Sequence, residues 1–261
     1  MMSVRRAYAI AKNDFELLIQ DPVSVIILVV MPLVVMAFTK PTYAAVLKQH
    51  GYSTANGAEQ AVPGMALLFI FFMVTFAGLA FFRDHIWNTW DRIRALPVRR
   101  SEIMLGKVIP SFAFICLQEL IVFVIGYVFF GLHIRGSVSA LVAVDLAFAV
   151  WLVTFILVTV AFCKTFQQVL AVSNLGAIVF AGIGGVLTPL VSLPGWAKAI
   201  SPATPDYWAM TGFNSVLLNG KGLGAVMAPV AVLLGSAVVL TVLAAVRFRF
   251  DAPKGGVLPG V

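Results

Sequence analysis

The apolar residues of this chain are gathered into long runs instead of alternating with polar ones. Six runs stand out, at roughly residues 22–39, 62–82, 103–130, 138–162, 169–186 and 223–246. A helix needs about 20 apolar residues to cross the ~30 Å hydrocarbon core of a bilayer. Four runs meet that length; the first and fifth are nearer the limit. Pro32 inside the first predicts a kink. Ahead of it, Val4, Tyr8, Ala11, Phe15, Leu18 and Ile19 recur at helical spacing, with Arg5, Arg6, Lys12, Asn13 and Glu16 on the other side. That pattern predicts an amphipathic helix lying in the headgroup region. Lys12, Asn13, Asp14 and Glu16 interrupt what would be the core of a secretion signal, so no cleaved signal is expected.

The stretches between the runs differ in kind. Residues 40–61 are polar and read as an external loop, and residues 164–168 as a tight polar turn. Residues 187–222 carry Pro189, Pro194, Pro202 and Pro205 together with Trp196, Tyr207 and Trp208. This segment is too broken to span and too apolar for a free loop, which predicts short helices dipping into the outer interface. The expected organisation is an all-α membrane protein. It has an N-terminal amphipathic helix (1–21), a six-helix transmembrane domain (22–246) and a cytoplasmic tail (247–261).

Composition removes the soluble alternatives. Hydrophobic residues make up 61% and charged residues 11% of the chain, against about 25% charged in a soluble domain. The net charge of +7 would suit nucleic acid, but cytoplasmic loops of a bilayer protein produce the same excess. With six spans and both termini inside, thirteen of the 18 Lys and Arg fall on the inner side and five (Lys40, Lys48, Arg135, Lys198, Lys221) on the outer. The loops are short, so this bias sets an in–in orientation in the cell's inner (plasma) membrane. Cys116 and Cys163 lie in apolar runs and read as buried thiols.

Candidate chemistry is sparse. His50, His85 and His133 fall in separate loops and cannot share a metal. Neither Gly106-Lys107 nor Gly220-Lys221 has the flanking residues of a phosphate loop. No catalytic residue, metal or cofactor is expected in this chain, and any energy source lies in another chain or an ion gradient. Glu119 sits ~18 Å along the helix from Lys107, near mid-membrane. Such a carboxylate costs roughly 2.5–3.5 kcal/mol to insert and must face a cavity or a partner. Gln118, Glu119 and Asp145 either line a substrate path or hold the bundle through interhelical hydrogen bonds. Ala177, Ala181 and Gly185 recur every four residues on the fifth run, a spacing that lets a neighbouring helix approach closely.

Residues 83–102 form the most charged stretch. Ile86, Trp90 and Ile93 share a helical face, with Trp87 beside them. Asp84, Asn88, Asp91 and Arg92 fill the rest of the circumference, Pro97 ends the helix and Ser101 caps the next. The result is a basic amphipathic knuckle carrying Arg94, Arg99 and Arg100, and it reads as a docking surface.

Taken in order, these features resemble the type-2 permeases of ABC exporters, of the drug-resistance and polysaccharide-export kind. The match rests on the basic N-terminal helix, the six spans, Arg94-Ala95-Leu96-Pro97-Val98-Arg99-Arg100-Ser101 followed by Gly106-Lys107, and Ser201-Pro202 and Tyr207-Trp208 before the last span. The resemblance implies that residues 83–100 are a coupling helix docking into a separate ABC ATPase, through Trp87, Trp90, Asp91, Arg92, Arg94 and Arg100. It implies two permeases, as homodimer or heterodimer, with two ATPases that bind ATP and Mg. A drug-like or lipid-like substrate would pass between the permeases, along the first, second and fifth spans. Ala177, Ala181 and Gly185 would then be the permease–permease contact. Glu119 maps to no shared feature of that family. The competing readings are a polysaccharide or glycoconjugate exporter and an ion-coupled carrier.

Overall fold

The computed structural model describes residues 22–86 and 100–247. Among the described residues six helices are long and apolar enough to cross a membrane: Ile26–Gln49, Ala58–Phe82, Gly106–Phe130, Val138–Phe162, Phe166–Ile183 and Leu223–Arg247. The predicted N-terminal amphipathic helix, the knuckle at 87–99 and the tail beyond Arg247 lie outside the described residues.

The first span begins with a short helix α1 (Pro22–Val25), widens into a π turn (Ile26–Val30) and continues as α2 (Met31–Gln49). Pro32 lacks an N–H, and its ring would strike the carbonyl four residues back, at Leu28. The wide turn falls where that clash must be relieved. The external loop expected at 40–61 is largely helix instead. Tyr43 and Leu47 continue the buried face begun by Pro32 and Met36, and Lys40 Nζ donates to the Phe130 carbonyl at 2.6 Å. An amphipathic pattern thus carries the helix through Lys40 and Pro41. The connection shrinks to residues 50–57 and closes on Gly57 at φ +90°, where any Cβ would overlap the Lys40 carbonyl.

Span two is two rods, α3 (Ala58–Ile70) and α4 (Phe72–Ile86), joined at Phe71. The Phe71 carbonyl accepts the Val74 N–H at 3.0 Å in a tight three-residue step. It also accepts the Ser173 hydroxyl at 2.9 Å. A foreign donor on the ladder is a recognised cause of a helix break. Helix α5 (Arg100–Phe130) runs antiparallel to both rods. Lys107 Nζ donates to the Ala80 carbonyl at 2.8 Å near one end, and Gly126 lies against Val62 near the other, with no room for a side chain. Between these two contacts, Phe71 is level with Cys116–Gln118.

Helix α6 (Val138–Phe162) is the centre of the bundle. Seven of the nine residues from Phe148 to Ile156 are buried in sequence order without regard to face, the signature of a helix surrounded by others. It packs against α4, α5, α9 (Pro205–Leu217) and α10 (Leu223–Arg247). Phe71, Phe148, Trp151, Phe155 and Phe180 form one cluster with ring centroids 5.2–6.2 Å apart.

The fifth span, α7, runs Phe166–Ile183. It starts earlier than the apolar run suggests because Thr165 caps it. The Gln168 N–H donates to Thr165 Oγ1 at 3.3 Å, and Gln168 Oε1 accepts the Lys164 N–H at 2.7 Å, close to a capping box. Between spans five and six lie a 3₁₀ turn (Leu190–Ser192), α8 (Gly195–Ile200), a second 3₁₀ turn (Ser201–Ala203) and α9. Short helices are present as expected. Helix α9 starts at Pro205 with Thr204 as its cap and buries Ala209, Met210, Phe213, Val216 and Leu217 against the bundle.

Candidate functional site

Among the described residues each predicted site residue has a definite place, and the structure joins some of them. Glu119 from α5 and Asp145 from α6 come within hydrogen-bonding reach of each other. Two carboxyls can share a hydrogen bond only when one holds a proton. Among the described residues Glu119 Oε2, Asp145 Oδ1 and the Gln118 amide have no hydrogen-bond partner. Glu119 and Gln118 are each 1% exposed. Asp145 and Cys116 are half-buried beside them, under a seam where Leu117, Leu120, Val142 and Leu146 are exposed. The pair therefore sits inside the bundle, within about a turn of the Phe71 break, and close to the surface between α5 and α6.

Ala177, Ala181 and Gly185 are not brought to the surface. Val169, Ser173, Ala177 and Ala181 form the face that α7 buries within the chain. The outward face of α7 is Leu170, Leu175, Ile178 and Val179. The close approach that the small residues permit is made within this chain, where Ala177 and Ala181 are buried. Gly185 serves the helix end. At φ +90° it follows Gly184, and the N–H groups of Val186 and Leu187 both donate to the Ala181 carbonyl at 3.1 Å, the pattern of a Schellman cap.

Reading the sequence missed a second polar group, at the other end of α3. Glu59 and Gln60, expected in a loop, are fully buried. Glu59 Oε2 accepts the Asn56 N–H at 3.2 Å, and Asn56 Oδ1 accepts the Ala58 N–H at 2.8 Å. Asn followed three residues later by Glu, just before an apolar run, is the cue that marks this start. Gln60 Nε2 donates to the carbonyls of Gly185 (2.8 Å) and Val186 (3.2 Å), and Tyr43 Oη donates to Leu187 at 3.1 Å. These two side chains satisfy backbone that leaves α7 without a helical partner.

Asp206, in the first turn of α9, was also missed. It is fully buried against Gly184, and neither carboxyl oxygen has a partner among the described residues. Burial alone pushes its carboxyl well above the usual carboxylate range.

Of the predicted docking residues, Trp87, Trp90, Asp91, Arg92 and Arg94 lie outside the described residues. Arg100 opens α5.

A six-span helical permease is the class that this architecture defines. Residues 5–218 match the ABC-2 type transporter family, and the chain belongs to it as a multi-pass membrane protein. Among similar proteins is the linearmycin resistance permease protein LnrN of Bacillus subtilis (strain 168). It is 27% identical over 215 residues, which cover 82% of this chain and 53% of that protein. Another is ABC transporter G family member 20 of Dictyostelium discoideum, 25% identical over 177 residues, covering 67% of this chain and 24% of that protein. The chain therefore spans about half the length of the first relative and about a quarter of the second.

Proposed function

We propose that this chain is the membrane subunit of an ABC exporter, working beside a second permease and driven by separate ATPase subunits that bind ATP and Mg. The observation that carries the reading is the ABC-2 family match over residues 5–218 together with six membrane-length helices. The resistance permease among its relatives favours a drug-like or lipid-like substrate over a polysaccharide. In this reading both termini are cytoplasmic and residues 83–100 dock into the ATPase. Trp87 and Trp90 fill an apolar slot while Arg92, Arg94 and Arg100 pair with acids around it, since Trp and Arg dominate interface energetics. Gln118, Glu119 and Asp145 supply the polar wall of the substrate path. An interface with a second permease then uses surfaces other than Ala177, Ala181 and Gly185.

The test is co-purification. Trp90→Ala and Arg94→Glu should reach the membrane in normal amount yet lose most of the ATPase that the unaltered chain retains. Normal ATPase retention and a normal export rate in both variants would refute the docking assignment. A chain that exports on an ion gradient with no ATPase bound would replace it with the carrier.

A further inference from the structure

A cavity of about 320 Å³ lies between α9, α10 and α6. Trp151 forms its floor. Pro202, Pro205 and Trp208 make one wall, and Val232 and Val239 the other. Every polar side chain at its edge is already committed. Trp208 Nε1 donates to the Pro202 carbonyl at 2.8 Å. Thr204 Oγ1 donates to the Ser201 carbonyl and accepts the Tyr207 N–H. Ser236 Oγ donates into its own helix, at 2.8 Å to Val232 and 3.0 Å to Leu233. No side chain is left to recognise a polar ligand. A site lined this way does not hold ordered water, which needs two to four polar partners.

The position of the cavity decides what fills it. Val232 and Val239 line it, lie seven residues apart on one stripe of α10, and are also 39% and 59% exposed. That stripe belongs to a helix long and apolar enough to cross the membrane, so the cavity is continuous with the lipid-facing surface. Taking the ~30 Å³ share of a liquid water molecule as the measure, it has room for about ten methylene-sized groups. We infer that this cavity is a binding groove for one acyl chain of a bilayer phospholipid, held between the outer helices and the last span. Neither Glu119 nor Asp145 lines the groove, and the inference stands independently of any ATPase.

Tryptophan quenching tests it directly. Full-length protein keeping Trp208 alone, with Trp87, Trp90, Trp151 and Trp196 replaced by Phe, is reconstituted in vesicles of phosphatidylcholine brominated on its acyl chains. A bound chain brings bromine against the Trp208 ring, and most of its emission should be lost relative to unbrominated vesicles. Ser236→Phe in the same background fills the groove and should restore most of it. Val239→Phe fills the groove from the other end and gives the same reading where the first substitution disturbs folding. Equal quenching with the groove open and filled means that Trp208 sees only passing lipid, and it overturns the assignment. So does the absence of quenching with the groove open.

Discussion

Replacing Asp206 by Asn should make this protein more stable at neutral and alkaline pH and remove a pH dependence from its unfolding. The side chain is fully buried with its Cβ against Gly184, and neither carboxyl oxygen has a donor among the described residues. Burial is the one cause acting on it, and it favours the protonated acid. In the unfolded chain the same group titrates near the ordinary value of about 3.9. Between that value and its raised folded value, the folded state binds the extra proton. Stability contributed by Asp206 is therefore full below the unfolded value and is lost as pH rises through the folded one. The slope within that window is at most ~1.4 kcal/mol per pH unit. Asn has the same shape, carries no charge at any pH and offers a donor to the carbonyls of the neighbouring segment. Relief of an unsatisfied buried group is worth about 1–3 kcal/mol. Thermal unfolding in detergent, followed by tryptophan emission at one scan rate from mildly acid to mildly alkaline pH, gives the readout. The unaltered protein should lose thermal midpoint as pH rises, and Asp206→Asn should hold it. An identical decline in both, or a lower midpoint for Asp206→Asn at neutral pH, refutes the reasoning.

Further expectations address the end of α7, its buried face and the orientation of the chain. Gly185→Ala forces a side chain into a left-handed backbone and onto Leu190, so a loss of about 1–3 kcal/mol is expected as a lower thermal midpoint. Ala181→Leu should overpack the interior by roughly 1–3 kcal/mol, reducing folded yield whether or not a second permease is present. Loss of association on native gels at full stability would instead place this stripe at a subunit contact. For orientation, single cysteines at Tyr52→Cys and Arg94→Cys are exposed to an impermeant thiol reagent in intact cells, in a background without Cys116 and Cys163. Label is expected at position 52 and not at 94; the reverse pattern would invert the topology.

The bulk of the architecture was written in the length of the apolar runs, because a bilayer leaves helix as the available form for such segments. The third, fourth and sixth spans follow directly. Misreadings arise where a local signal was outweighed by a distant partner. Lys40-Pro41 looks like the end of a helix, but the carbonyl that accepts the Lys40 ammonium belongs to Phe130, ninety positions away. Glu59 and Gln60 look like loop residues. Gln60 is interior because the carbonyls needing it lie at Gly185 and Val186, and that need exists only once α7 has ended. Small residues at 177 and 181 correctly report a close neighbour, yet spacing on one helix says nothing about which helix fills the gap. Asp206 lies beyond pattern altogether, since an acid beside a proline in a first turn is ordinarily a solvated one.

The break at Phe71 bears on how movement at residues 83–100 would reach the outer half of the molecule. A continuous helix would carry a push along its whole length. Here the push would reach α4 first and meet a joint near mid-membrane, where the backbone ladder is interrupted. What keeps α3 aligned with α4 is lateral: the Ser173 hydroxyl on the Phe71 carbonyl and the rings of Phe148, Trp151, Phe155 and Phe180 around Phe71. Those groups belong to α6 and α7. A displacement of α4 is thus shared with the central helix and the fifth span before it reaches α3. The Glu119–Asp145 pair lies near the level of the same joint, between α5 and α6. A shift of α6 against α5 would separate these two carboxyls. Joint and acid pair are therefore mechanically linked through α6, which carries Asp145 and packs on Phe71 through Phe148, Trp151 and Phe155.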